Sequence, residues 1–148
     1  MTIPRRPRRR TAFVDSSAFY ALSDRDDLNH HLAQAIAHAL EHERWTLYTS
    51  NYVVAEQHAL HLNRLNRDLA FQALTDIYTS GIRIERVTPR DDERAFAIIS
   101  QYSDKEFSFT DATSFAIMER LGIPYAFAFD RNFIQYRLTV LTAQLPQF

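Results

Sequence analysis

Cysteine is absent from the chain, glycine occurs twice and lysine once, and no apolar run approaches the length needed to cross a bilayer. Without cysteine there is no disulfide framework and no thiolate zinc site. With only Gly81 and Gly122, no glycine-rich phosphate loop can be built, which sets aside nucleotide-binding ATPases and dinucleotide enzymes. The single lysine, Lys105, does not stand at a late strand end, which argues against a receiver-type phosphoacceptor domain. The basic start "MTIPRRPRRR" lacks the apolar segment that follows the charges of a secretory signal. The expected setting is therefore the cytoplasm, with no membrane as a partner.

What is present is enough for one folded body. The 148 residues are 46% hydrophobic and 13% aromatic, a composition that sustains a single sizeable core. The net charge of -1 hides an asymmetry. Arg5, Arg6, Arg8, Arg9 and Arg10 supply five of the 17 basic residues, so the remaining 12 face 18 acidic ones. The expected organisation is a flexible basic arm over 1–10, able to hold phosphates through counterion release, and one domain over 11–148.

Short apolar runs alternate with helical periodicity. "TAFVD" (11–15), "WTLYTS" (45–50), "IRIERV" (82–87), "YAFAFD" (125–130) and "LTVL" (138–141) read as strands. Helices are expected over 16–22, 27–43, 52–64, 67–79, 90–102 and 111–121, with caps at Asp26, Asn51, Asn66 and Ser108. Strands separated by helices predict an α/β sandwich whose central, mostly parallel sheet is flanked by helices.

In such a sheet, ligands gather outside the carboxyl ends of the strands. Asp15 closes the first run and Asp130 closes "YAFAFD", so two carboxylates arrive at one edge. Glu56 lies among Tyr52, Val53, Ala59 and Leu60 on an apolar helix face. Asp111 continues the stripe of Phe115, Met118 and Gly122 and sits in a first turn that faces the same edge. Each acid has an ordinary structural alternative: a helix cap for Asp15 and Asp130, a capping box with Ser108 for Asp111, and a pair with Arg64 or His58 for Glu56. One shared site accounts for all four together. Carboxylates brought close raise one another's pKa unless a cation compensates, and an all-oxygen set suits Mg²⁺ or Mn²⁺ better than zinc. Such ions assist phosphodiester hydrolysis.

"FVDSSAFYAL", "NYVVAEQHAL", "FSFTDATSFAIMERLGI" and "AFAFDRNF" resemble the four acidic motifs of the PIN-domain ribonucleases, in particular the VapC-type toxins of toxin-antitoxin pairs. The similarity runs over residues 12 to 141. It implies a PIN-like three-layer sandwich and metal-dependent endonucleolytic cleavage of RNA, leaving a 5′-phosphate and a 3′-hydroxyl. It also implies a cognate antitoxin protein and a homodimer. Carried over residue by residue, it makes Asp15, Glu56, Asp111 and Asp130 the catalytic, metal-binding acids. Ser17, Thr110, Arg131 and Asn132 are the substrate-side residues it adds. Ala128 departs from the pattern, standing where many relatives have a hydroxyl residue. An RNA-processing PIN nuclease without an antitoxin, or a non-catalytic RNA-binding PIN module, are the other readings of the same motifs.

The remaining constellations carry less. His38 and His42 are one helical turn apart but lack a third partner and are expected on a solvated face. Phe107, Phe109, Phe115, Phe127 and Phe129 recur at core spacing and are expected in the interior.

Overall fold

The computed structural model describes residues 10–148. The elements run β1 (Thr11–Val14), α1 (Ser16–Ser23), α2 (His30–His42), β2 (Thr46–Ser50), α3 (Asn51–Arg64), α4 (Arg67–Thr79), β3 (Arg83–Glu85), α5 (Pro89–Gln101), α6 (Phe109–Leu121), β4 (Tyr125–Phe127), α7 (Asn132–Gln135) and β5 (Thr139–Val140). All four residues of β1 are buried, as the continuous apolar run requires of a central parallel strand.

The strands form one sheet in the order β3-β2-β1-β4-β5, and every neighbouring pair is parallel. The chain therefore walks outward from β1 to β3, then crosses back to lay β4 on the other side of β1. Helices pack in two sets, α1 with α2 and α3 and α3 with α4, against α5 with α6 and α6 with α7. That division is what right-handed crossovers demand when the strand order reverses. The reversal opens a crevice at the carboxyl ends of β1 and β4. Above it α3 meets α6.

α6 is buried without interruption from Asp111 to Met118. Its polar members Thr113 and Ser114 donate to the Thr110 carbonyl at 2.7 and 3.0 Å, so their burial leaves no hydroxyl unpaired. Phe115 stacks on Tyr136 at 4.4 Å and meets Phe107 and Phe133 edge-on. Gly122 ends the helix in the left-handed region, at φ 68°. Arg120 clamps α6 to α5 through two hydrogen bonds of 3.0 Å to the buried Asp91 carboxylate.

Several boundaries differ from the sequence expectation. β4 stops at Phe127 because the Phe129 amide leaves the sheet and donates to the Ser17 hydroxyl at 2.9 Å; Asp130 thus lies three residues beyond the strand. β3 stops at Glu85, and the Val87 amide donates to the Asn51 side chain at 2.9 Å. Asn51 is thereby a strand terminator, while Ser50 caps α3. Asp26 caps nothing, since Asp24 and Asp27 accept the Asp26 and Asn29 amides in two consecutive turns that delay α2 to His30. Asn66 and Ser108 cap α4 and α6 as expected. Phe109 is 44% exposed rather than interior. Of the basic arm expected over 1–10, only Arg10 falls within the described residues; its guanidinium donates to the Glu43 carbonyl.

Candidate active site

Asp15 follows β1 directly and caps α1, so the strand and the helix fix it from both sides. One carboxylate oxygen, Oδ2, accepts from the Ser17 amide at 3.1 Å and from the Ser17 hydroxyl at 2.6 Å. The other, Oδ1, is buried and has no hydrogen-bond partner among the described residues. The capping role and a buried oxygen without a partner among the described residues thus coexist in one residue. Asp15 is only 1% exposed, and its pKa is pushed up to about 7, first by burial and then by the nearby Asp111 and Glu56 carboxylates, against the lowering effect of the Ser17 hydrogen bonds.

The other acids come from the elements that rim the crevice. Glu56, on α3, accepts from the Ser16 hydroxyl at 2.8 Å. Its pKa is raised by burial and by Asp111 and Asp130, and among the described residues it forms no ion pair with Arg64 or His58. Asp111 is the third residue of α6 and completes a capping box with Ser108. Its Oδ2 also accepts from the Asn132 side-chain amide at 2.9 Å, and burial, then Asp130, raise its pKa. Asp130 accepts the Asn132 amide at 2.9 Å, the turn that starts α7. The structure brings all four acids to one cleft of about 390 Å³.

The weaker candidates separate. Ser17 lies in the cleft and ties Asp15 to the Phe129 amide, so one hydroxyl bridges the β1 and β4 ends. Asn132 lies there as well. Thr110 does not line the cleft; its contribution is the carbonyl that receives Thr113 and Ser114. Arg131 is exposed in a neighbouring depression shared with Lys105, Asp130 and Asn132. Sequence reading missed Ser16, which the "DSS" string offers to Glu56. It also missed Tyr20 and the cleft position of Arg64, although Glu56, Leu60 and Arg64 recur every fourth residue along one face of α3. His38 and His42 are exposed, as expected of a solvated face.

The donor set suits a hard cation: the four acids supply oxygens alone, and one of these, Asp15 Oδ1, is buried without a partner among the described residues. No group of three histidine, aspartate or glutamate side chains among the described residues is drawn to metal-ligand spacing. The acids are held instead by hydroxyl and amide donors, each of which leaves carboxylate capacity directed at the cleft.

A sequence profile of the PIN domain matches residues 12–138. The 23S rRNA-specific endonuclease VapC20 of Mycobacterium tuberculosis is 34% identical over 126 residues, covering 82% of this chain and 90% of that protein. The crystal structure of M. tuberculosis VapC20, described as a sarcin-ricin loop cleaving toxin, superposes with a TM-score of 0.82 at 31% identity, over 88% of this chain and 98% of that one. FitAcB from Neisseria gonorrhoeae shares the fold at a TM-score of 0.66 and 16% identity, over 89% of this chain and 97% of that one.

Proposed function

Because the chain belongs to the PIN-domain family and is a homologue of the VapC-type endonucleases, we propose that it is the RNA-cleaving toxin of a toxin-antitoxin pair. In this reading it hydrolyses a phosphodiester bond in a structured ribosomal RNA with Mg²⁺, or Mn²⁺ in its place. The observation that carries the reading is Asp15: a buried carboxyl group, its pKa pushed up to about 7, whose second oxygen has no partner among the described residues, in a cleft that also holds Glu56, Asp111 and Asp130.

Asp15, Glu56, Asp111 and Asp130 would hold the cation, which supplies charge neutralisation at the phosphodiester and lowers the pKa of an attacking water. The chain's own contribution is positional. Ser16 fixes Glu56, Ser17 fixes Asp15, and Asn132 fixes Asp111, so three donors set the directions of three acids before any ligand arrives. Water adds to phosphorus, the 3′-oxygen leaves with a proton, and the new end carries the 5′-phosphate. The 34% identity across 90% of VapC20 supports ribosomal RNA as the substrate class. A cognate antitoxin would neutralise the site by placing an arginine or lysine among the carboxylates, and a homodimer belongs to the same reading.

Ser17→Ala is expected to lower cleavage by about 10- to 100-fold, the usual loss when a group that orients a metal ligand is removed. Single-turnover rates on a ribosomal RNA fragment measure it; an unchanged rate would mean that the Ser17 hydroxyl serves α1 alone. The reading itself is tested by mapping 5′-monophosphate ends after induced expression. A discrete new end in 23S rRNA with the wild type, absent with Asp111→Asn, is expected. No new end from the folded wild type, or the same end from Asp111→Asn, would overturn it.

A further inference from the structure

The cleft is built against its own substrate. Six carboxylates line it, Asp15, Asp27, Glu56, Glu106, Asp111 and Asp130, and among the described lining residues one side chain is cationic, Arg64. Two other arginines beside carboxylates are committed to them: Arg94 to Glu119 at 2.9 Å, and Arg120 to Asp91 and Glu85 at 3.0 and 3.5 Å. Arg64 is not. Among the described residues it forms no ion pair, and its guanidinium lies 5.4 Å from the centre of the Tyr20 ring.

The Tyr20 ring is itself held. Its hydroxyl donates to Asp24 at 2.6 Å, its edge meets His61 at 5.5 Å, and only 9% of the residue is exposed. A guanidinium resting on a fixed aromatic face keeps its planar fork of N–H donors free for an anion, and loses less freedom when one binds. Position sets which anion. Arg64 follows Glu56 by about two turns along α3, a backbone rise of about 12 Å, so it enters the cleft from a base set well away from that of Glu56 and suits a phosphate further along the strand.

We propose that Arg64, seated on Tyr20, is a phosphate-binding residue that anchors the RNA backbone one or more nucleotides from the cleaved bond. The inference rests on the RNA-cleaving reading of the same cleft. It concerns affinity and placement, because phosphate contacts set register on a nucleic acid without reading its sequence.

The test uses the full chain and a fluorescent ribosomal stem-loop RNA, with binding followed by anisotropy in EDTA across a salt series and cleavage followed separately in Mg²⁺. Arg64→Gln is expected to weaken binding about tenfold and to make the slope of log affinity against log salt less negative by about one phosphate contact. The cleavage loss should appear in KM rather than kcat, at an unmoved cleavage position. Arg64→Lys should recover part of the affinity and the whole salt slope, since it restores the charge without the planar fork. Equal affinity and slope in wild type and Arg64→Gln would overturn the proposal, as would a kcat loss with affinity unchanged. A wild type that neither binds nor cuts the RNA would instead remove the underlying reading, so the two failures are distinguishable.

Discussion

Asp15→Asn is expected to abolish cleavage and, in the same protein, to raise the melting temperature of the metal-free form at neutral pH. The first effect should be on the order of a thousandfold or more, beyond the 10- to 100-fold typical of residues that merely orient a ligand. The second follows from burial. A carboxyl group only 1% exposed, with its pKa pushed up to about 7, stands some three units above its ordinary value, on the order of 4 kcal/mol of disfavoured ionisation. Between about pH 4 and pH 7 the folded state keeps a proton that the unfolded chain has lost, so Asp15 makes stability fall as pH rises through that window. Glu56 and Asp111, also raised, act with the same sign. His61 acts in the opposite sense: burial lowers its pKa, and protonating it as the pH drops disfavours the fold.

An amide at position 15 keeps an oxygen for the Ser17 amide and hydroxyl while removing the charge, and it offers N–H donors toward the neighbouring acids. In EDTA the variant should therefore melt higher than wild type at pH 7.5, by about 2–4 °C for each kcal/mol recovered, and the advantage should shrink toward pH 5. Thermal unfolding at both pH values measures it. A lower melting temperature for Asp15→Asn at pH 7.5, with cleavage retained, would mean that the carboxylate stands there to cap α1.

Much of the architecture is legible in the sequence because local pattern and tertiary demand agree. β1 reads as central since Ala12, Phe13 and Val14 run unbroken to Asp15, and α4 and α6 announce their starts through Asn66 and Ser108. The misjudged ends of β3 and β4 share a cause: in each, a distant side chain takes a backbone group. No local pattern in "YAFAFD" shows that the Phe129 amide will find a hydroxyl 112 residues away, and the same holds for Val87 and Asn51. Asp26 follows the usual form of a cap, yet the adjacent Asp24 and Asp27 turn the chain first.

The acids were legible for a different reason. Charged residues at strand ends and in apolar stripes conflict with packing, and such conflicts concentrate where a protein does chemistry. The structure places those four acids in one cleft and makes the capping roles of Asp15 and Asp111 part of their positioning. Hydroxyls carry no comparable conflict. Serine and threonine suit caps, turns and solvent equally, so Ser16 passed unnoticed and Thr110 was placed at a cleft it does not line. Phe109 misled for a related reason: core spacing on α6 does not reveal that its first residue lies outside the packed part of the helix.

Withdrawing the metal is expected to stop cleavage completely, and restoring it to revive cleavage without refolding. Burial, and after it the neighbouring carboxylates, raise the pKa values of Asp15, Glu56 and Asp111, so these acids cannot all ionise at little cost, and no arginine, lysine or histidine among the described residues is paired with Asp15, Glu56, Asp111 or Asp130. A cation binding only the folded state would also stabilise it, by about 2.7 kcal/mol at 100 times its dissociation constant. Calorimetric titration of Mn²⁺ at pH 7.5 into the wild type and into Asp15→Asn, Glu56→Gln, Asp111→Asn and Asp130→Asn tests the joint site most directly. Saturable binding with proton release in the wild type, weakened at least about tenfold in every variant, is the predicted result. Wild-type Mn²⁺ affinity in all four variants would contradict the account.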